Sequence, residues 1–361
     1  MTGAHAPGRP LLSVHKLCIH FTGAQGEVQA TRDISFDLAP GERVGIVGES
    51  GCGKTVTGLS ILGLLPARSS RVTGRIEFEG RDLTLLSPRE MRAVRGAKIG
   101  MIFQEPMSAL DPVFTVGEQI AETLRTHRGM SRRQARTRAI EALAAVGIPL
   151  PDRRVDEYPH QLSGGMRQRA MIAIALACEP ALLVADEPTT ALDVTIQAQI
   201  IRLLVDLSRQ SGTALLFITH DLGVVAETCD RLLTMYAGEI VEDAGVDEAL
   251  LRPRHPYTSG LLRSIPRLSP RKTVLPSVPG RVPALIAMPA GCRFEPRCSH
   301  AQPPCREPQV LAVAPPAAGD PVEPGGGDQP QRSDQPQRSD QPQRSARCVR
   351  QGELHLPGAL A

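Results

Sequence analysis

Tryptophan is absent, aromatic residues make up 3% of the 361-residue chain, and 41 basic against 38 acidic side chains leave a net charge of only +3. So few aromatics exclude the stacking platforms that hold single-stranded nucleic acid. The near-balance of charge excludes a dedicated nucleic-acid binder with clustered Lys and Arg. A membrane-spanning run is also lacking. The longest apolar stretch, Met171 to Val184, is broken by Glu179 and Pro180 and falls short of the ~20 residues that cross a bilayer. Met1 to Pro10 shows no basic stretch followed by an apolar one, so no secretory signal is expected. The cytoplasm is the expected compartment, and the eight cysteines are expected as thiols or metal ligands rather than disulfides.

What is present is the composition of a globular protein, 41% hydrophobic and 22% charged. Residues 11–250 alternate short β-branched runs with longer helical patterns, which predicts an α/β layered core with a largely parallel sheet. Strands are expected at Arg43 to Val47, Lys98 to Phe103, Ala181 to Ala185 and Ala214 to Ile218, and an antiparallel block at Leu12 to Leu38. A helical insertion lies within residues 110–165. Its last helix starts at Ser131 with Gln134 as a capping box and carries Ile140, Leu143 and Val146 along one stripe. Beyond residue 251 prolines accumulate, four cysteines appear and helical periodicity fades, so residues 251–361 are expected to form a second, loop-rich unit. Within it, Gly325 to Gly327 precede three tandem copies of Asp-Gln-Pro-Gln-Arg-Ser ending at Ser345. With no apolar residue to offset ordering entropy, residues 325–345 are expected to be a disordered tether.

Gly48-Glu49-Ser50-Gly51-Cys52-Gly53-Lys54-Thr55 follows an apolar strand and opens a helical pattern, the context a phosphate-binding loop requires. Glycines let backbone N–H groups converge on phosphate oxygens, and the helix start adds its positive dipole end. Lys54 would neutralise the β and γ phosphates and the Thr55 hydroxyl would ligate Mg²⁺. Val56 stands where a dinucleotide fingerprint needs its last glycine, which excludes that reading. Further on, an apolar strand ends in Asp186 and Glu187; Asp186 can hold Mg²⁺ through water and Glu187 can polarise the attacking water. Leu162-Ser163-Gly164-Gly165-Met166 stands before another helix, its serine and glycines leaving donors free for an anion. Thr190-Ala191-Leu192-Asp193 and, after a further strand, His220 complete the series.

In this order, with Gln104 at a strand end, these motifs resemble the ATP-binding cassette (ABC) ATPases. The resemblance implies an α/β fold: a phosphate-loop NTPase core, an antiparallel β subdomain, a helical insertion subdomain and here a Pro/Cys-rich C-terminal extension. It implies Glu187 as general base, His220 as the side chain holding the γ phosphate and water, and Gln104 as a sensor touching Mg²⁺ and water. The nucleotide would be held by Gly48, Ser50, Gly51, Cys52, Gly53, Lys54, Thr55 and Val56, with Phe21 stacking on adenine. In that family nucleotide is sandwiched between two cassettes, so Ser163, Gly164, Gly165 and Met166 would face ATP bound by a partner cassette across the Asp193 loop. Two other classes fit less well. A ribosome- or DNA-acting cassette ATPase generally has two cassettes or a long coiled-coil insertion, and a phosphate-loop kinase or GTPase lacks the Leu162 to Met166 segment.

Finer features are similar to the D-type ATP-binding subunit of oligopeptide and dipeptide importers: Tyr158 to Met166, Thr189 to Gln197, Thr219 to Val225 and His255-Pro256-Tyr257-Thr258. Asp111 departs from the Asn usual there, both being turn residues. The implied partners are two membrane permeases, a second cassette of the related F type and, indirectly, an extracytoplasmic binding protein. The implied location is the cytoplasmic face of the membrane. Nickel or another small solute stays open as cargo, because the chain does not carry the specificity. Cys292, Cys298, Cys305 and Cys348 could by residue type close a zinc or iron–sulfur site or stay free thiols. The resemblance implies a [4Fe-4S] cluster. Cys52 is expected at a tolerant loop position.

Overall fold

In this computed structural model, residues 9–23, 26–189, 193–265, 278–283, 285–286, 288–313 and 344–359 are described. Arg43–Val47 is apolar on both faces and is buried over its last four residues, the pattern of a strand covered by helices on both sides. It pairs in parallel with Ala214–Thr219 on one side and Arg231–Tyr236 on the other. Leu182–Asp186 and Ile99–Ile102 continue the parallel sheet. This brings the C-terminal ends of Arg43–Val47 and Leu182–Asp186, which carry the phosphate loop and the acidic pair, to one edge of the sheet, the usual ligand edge of α/β folds.

A second, antiparallel sheet joins Leu12–Gly23 to Gly26–Leu38, with Ser70–Phe78 and Arg81–Asp82 beyond. The expected block at the N-terminus is thus only half of its sheet. Ser70–Phe78, exposed over its middle residues, lacks a clean two-residue alternation and was not expected as a strand. Inward-facing Leu12, Val14, Ile34, Phe36, Ile76 and Phe78 share one core with Val44, Ile46 and Val184 of the parallel sheet.

The opposite face of the parallel sheet packs on the helical insertion. Val116–Arg128 and Arg132–Ala145 each begin with a capping box, Thr115 with Glu118 and Ser131 with Gln134, satisfying helix-start donors reciprocally. The buried stripe of Arg132–Ala145 is Ala135, Ala139 and Leu143, followed by Val146; Ile140 is only half-buried. The two alanines carry little apolar signal in a sequence, yet they set how closely this helix approaches its neighbours.

The C-terminal extension is stitched onto the parallel sheet rather than standing apart. Glu239–Gly245 pairs antiparallel with Arg231–Tyr236, and Ser345–Ala346 then pairs with Glu242 and Asp243 on one side and with Ala312–Val313 on the other. Ser345, expected in the tether, is therefore strand, while residues 325–343 lie outside the described residues. No helix among the described residues is long and apolar enough to cross a membrane.

Candidate functional site

The phosphate loop needs glycine where backbone passes close to backbone. A Cβ on Gly48 would lie 2.2 Å from the Met235 carbonyl oxygen, and one on Gly53, at φ 99°, 2.9 Å from that of Ala30. Ala30 belongs to the antiparallel sheet, so both sheets shape the loop. Lys54, 5% exposed, curls over it and donates from Nζ to the carbonyls of Gly48 at 2.8 Å and Glu49 at 3.1 Å. Lys54–Ile61 starts the helix whose free N–H groups an anion needs. Cys52 is fully buried, with Sγ 3.8 Å from Lys54 Nζ and its carbonyl accepting from Gly238 N–H at 2.9 Å. Its position is packed, not tolerant: the loop is roofed by residues 235–238, which no short-range pattern reveals. Ser50 and Gly51 are exposed, and Val56 is half-buried against the core.

Asp186 ends its strand 2% exposed and accepts a hydrogen bond from the Thr55 hydroxyl at 3.1 Å. Burial pushes its carboxyl up to about 6, with the charge of Glu187 acting in the same direction against the Thr55 bond. A desolvated carboxylate beside a hydroxyl is an arrangement that a dication relieves. Mg²⁺ takes one or two carboxylates and completes its shell with phosphate oxygens and water, so Thr55 and Asp186 fit it. Next in sequence, Glu187 adopts φ 44°, a region sparsely populated by non-glycine residues and costing of order 1–3 kcal/mol. Its N–H donates to the Ile218 carbonyl at 2.8 Å, anchoring the turn to the neighbouring strand. This conformation directs its carboxylate to Gln104, which donates from Nε2 at 3.2 Å, and to His220, whose Nδ1 lies 3.3 Å away. Gln104, Glu187 and His220, 116 residues apart at their extremes, thus meet at one polar cluster beside Asp186.

The serine–glycine segment behaves differently. Ser163 caps Gly164–Leu176, accepting from Met166 N–H at 3.3 Å. Ser163 and Gly164 are exposed, a Cβ on Gly164 would meet nothing within 4 Å, and one on Gly165 would lie 3.2 Å from Ile196. Among the described residues, no hydrogen bond joins this segment to the phosphate loop. Asp193, exposed, caps Val194–Ser211 by accepting from Ile196 N–H at 3.0 Å; Thr190 to Leu192 lie outside the described residues. Phe21 sits on Leu12–Gly23, half-buried against the core that joins the two sheets. Asp111 accepts from Val113 N–H at 3.0 Å, the turn geometry shared by Asp and Asn.

Cys292, Cys298, Cys305 and Cys348 line one small cavity with His255 and Phe294. Cys348 reaches it from beyond the repeats. Burial pushes the Cys292 thiol up to about 12 and Cys348 to about 11, and raises Cys298, with neighbouring cysteines adding to each shift. Among the described residues no group of three or more His, Cys, Asp or Glu is set to hold a metal ion. The four cysteines expected to hold a [4Fe-4S] cluster are thus brought to one cavity without forming such a group. Without a cation, desolvation favours the neutral thiol at Cys292, Cys298 and Cys348. The donor chemistry suits iron and sulfide, but the spacing is not that of a closed ligand set.

Sequence reasoning missed one residue of the phosphate loop's surroundings. Glu49 places a carboxylate inside a loop built for anions, which by itself calls for a cation nearby. The structure supplies Arg297, donating to both carboxylate oxygens at 2.7 and 3.1 Å.

Residues 31–190 match the family model described as ABC transporter, and residues 241–305 match that of the oligopeptide/dipeptide transporter C-terminal region. The chain is 56% identical over 299 residues to the "Probable peptide ABC transporter ATP-binding protein" of Sinorhizobium fredii, covering 82% of this chain and 89% of that one. It is 53% identical over 291 residues to the "Dipeptide transport ATP-binding protein" of Bacillus subtilis, covering 80% and 87%. Among solved structures, a dimeric post-hydrolysis ATP-binding cassette bound to ADP and Pi superposes with TM-score 0.59 at 30% identity, over 65% of this chain and 98% of that one.

Proposed function

This chain belongs to the ATP-binding subunits of ABC transporters and is an ATPase; from that premise we propose that it energises import of dipeptides or oligopeptides through membrane permeases. The observation that supports ATP cleavage is the meeting of Gln104, Glu187 and His220 at one carboxylate, beside the Thr55–Asp186 pair. Mg²⁺ held by Thr55 and Asp186 would supply charge neutralisation at the phosphates. Glu187 accepts the proton of the attacking water, His220 holds that water and the γ phosphate, and Gln104, bonded to the Glu187 carboxylate, would touch Mg²⁺ and the water. Catalysis of this kind is positioning and charge stabilisation with little covalent chemistry.

Ser163 and Gly164 are exposed, and among the described residues neither they nor Gly165 bond their own phosphate loop, which supports their serving the nucleotide of a second cassette. Whether that cassette is a copy of this chain or a related F-type chain, each protomer would complete its partner's pocket, with Asp193 at the seam. The permeases would dock near Gln104 to Pro112 and on the helical insertion. Met107, Val113 and Phe114 are 56%, 70% and 49% exposed there, beside a groove lined by Phe114, Gly117, Ala121, Arg125 and Met130. Docking of this kind would put the protein at the cytoplasmic face of the membrane. Peptide cargo is supported by the names of the relatives and by the matched C-terminal region.

Vesicles carrying this chain with its permeases, partner cassette and binding protein should take up labelled dipeptide only with ATP. ATP-driven uptake of nickel instead, or none of peptide while ATP is hydrolysed, would overturn the cargo and leave the ATPase standing.

We further propose that Cys292, Cys298, Cys305 and Cys348 would hold a [4Fe-4S] cluster, each as a thiolate ligand to one iron after loss of its proton. Protein purified anaerobically should carry iron and a broad visible absorption, both lost in Cys298→Ser. A colourless, iron-free wild type would refute it.

A further inference from the structure

An acidic side chain in a loop that must receive a triphosphate is a liability. A carboxylate and a phosphate repel as like charges, the more so where solvent screening is weak. Glu49 is that side chain, and its backbone N–H and its carboxylate are both held by residues from the C-terminal third of the protein. Its backbone N–H donates to the Tyr257 hydroxyl at 2.9 Å. Its carboxylate receives two hydrogen bonds from the Arg297 guanidinium, the bidentate geometry that only arginine offers.

Arg297 is itself held from all sides. Its side chain is 6% exposed, donates from Nε to the Pro279 carbonyl at 2.7 Å and lies 5.6 Å over the Tyr236 ring. Tyr236, Tyr257 and Phe294 pack mutually with ring centroids 4.6 to 5.4 Å apart. Phe294 in turn lines the cavity shared by the four cysteines. Arg297 also adjoins Cys298 in sequence, on the segment that starts at Cys292. The cysteine segment and the phosphate loop are therefore bridged by an ion pair across 248 residues of chain.

We propose that Arg297 is a nucleotide-positioning residue supplied by the cysteine-rich extension: by cancelling and holding Glu49 it lets the phosphate loop accept ATP, and so ties ATP affinity to the folding of the cysteine segment. The inference rests on the ATPase reading and adds a residue outside the cassette motifs. Arg297 acts through Glu49, so its loss acts on binding more than on the chemical step.

The test is the steady-state ATPase and equilibrium Mg-ATP binding of the full chain with its partner cassette, in wild type, Arg297→Gln, Glu49→Gln and the double variant. Arg297→Gln should raise KM and Kd for ATP about tenfold, the loss expected for one charge-assisted bidentate contact, with kcat retained. Adding Glu49→Gln should restore affinity to within about threefold of wild type, since the carboxylate is the source of the repulsion. A purely structural role for Arg297 predicts no such rescue. An Arg297→Gln KM within twofold of wild type, or a loss that Glu49→Gln does not relieve, overturns the proposal. Should Arg297→Gln fail to fold, Glu49→Gln alone decides: affinity within about threefold of wild type supports it, and a tenfold loss overturns it. Failure of the wild type to bind Mg-ATP would overturn the ATPase reading as well, so the two failures are distinguishable.

Discussion

Glu187→Gln is expected to lower ATP turnover by roughly 10²–10⁴-fold, the range lost when a positioned general base is removed, while Mg-ATP binding stays within about threefold of wild type. The substitution is nearly isosteric, so it preserves the turn at φ 44° and the backbone bond to Ile218. It removes the charge that can accept a proton from water at the point where Gln104 and His220 converge. Lys54, Thr55 and Asp186 are left intact, and these carry phosphate and magnesium. Phosphate release measured beside equilibrium nucleotide binding separates the two effects. Wild-type turnover in the variant would remove Glu187 from the base role, and an equal loss of binding would make it a structural residue of the loop.

The second large effect is on stability. Glu239 is 1% exposed and forms an ion pair with Arg32, with Arg293 at 3.7 Å and Arg347 at 4.0 Å. Each arginine comes from a different part of the molecule: Arg32 from the antiparallel sheet, Arg293 from the cysteine segment, and Arg347 from beyond the repeats. Arg293 is as buried as its partner, and burial pulls its guanidinium down to about 10 against the raising effect of Glu239. Glu239→Ala leaves these cations without their anion. Breaking a buried pair in this way costs about 3–5 kcal/mol, which should appear as a lower midpoint in chemical denaturation and as early proteolysis after residue 251. A loss below about 1 kcal/mol would mean that solvent already screens the cluster and that the extension is held by its apolar contacts alone.

Both expectations depend on contacts that a reader of the chain meets unevenly. The phosphate loop and the acidic strand end were legible because each is a contiguous run whose backbone geometry its residue types dictate. The Ser131–Gln134 capping box was legible for the same reason. The Ala135 and Ala139 face was not, because small side chains carry no apolar signal. Ser70–Phe78 was missed because its exposed middle gives no alternation.

The linear order of residues thus determined the parallel core, the loop that faces phosphate and the identity of the acids after it, since sterics and hydrogen bonding act there over a few neighbouring positions. Tertiary structure alone decided that Glu187 bends toward Gln104 and His220, that Arg297 neutralises Glu49 and that Glu239 gathers three arginines. These are meetings of charges separated by tens to hundreds of positions. Their energies depend on burial and distance, which exist only once the sheets have closed around them.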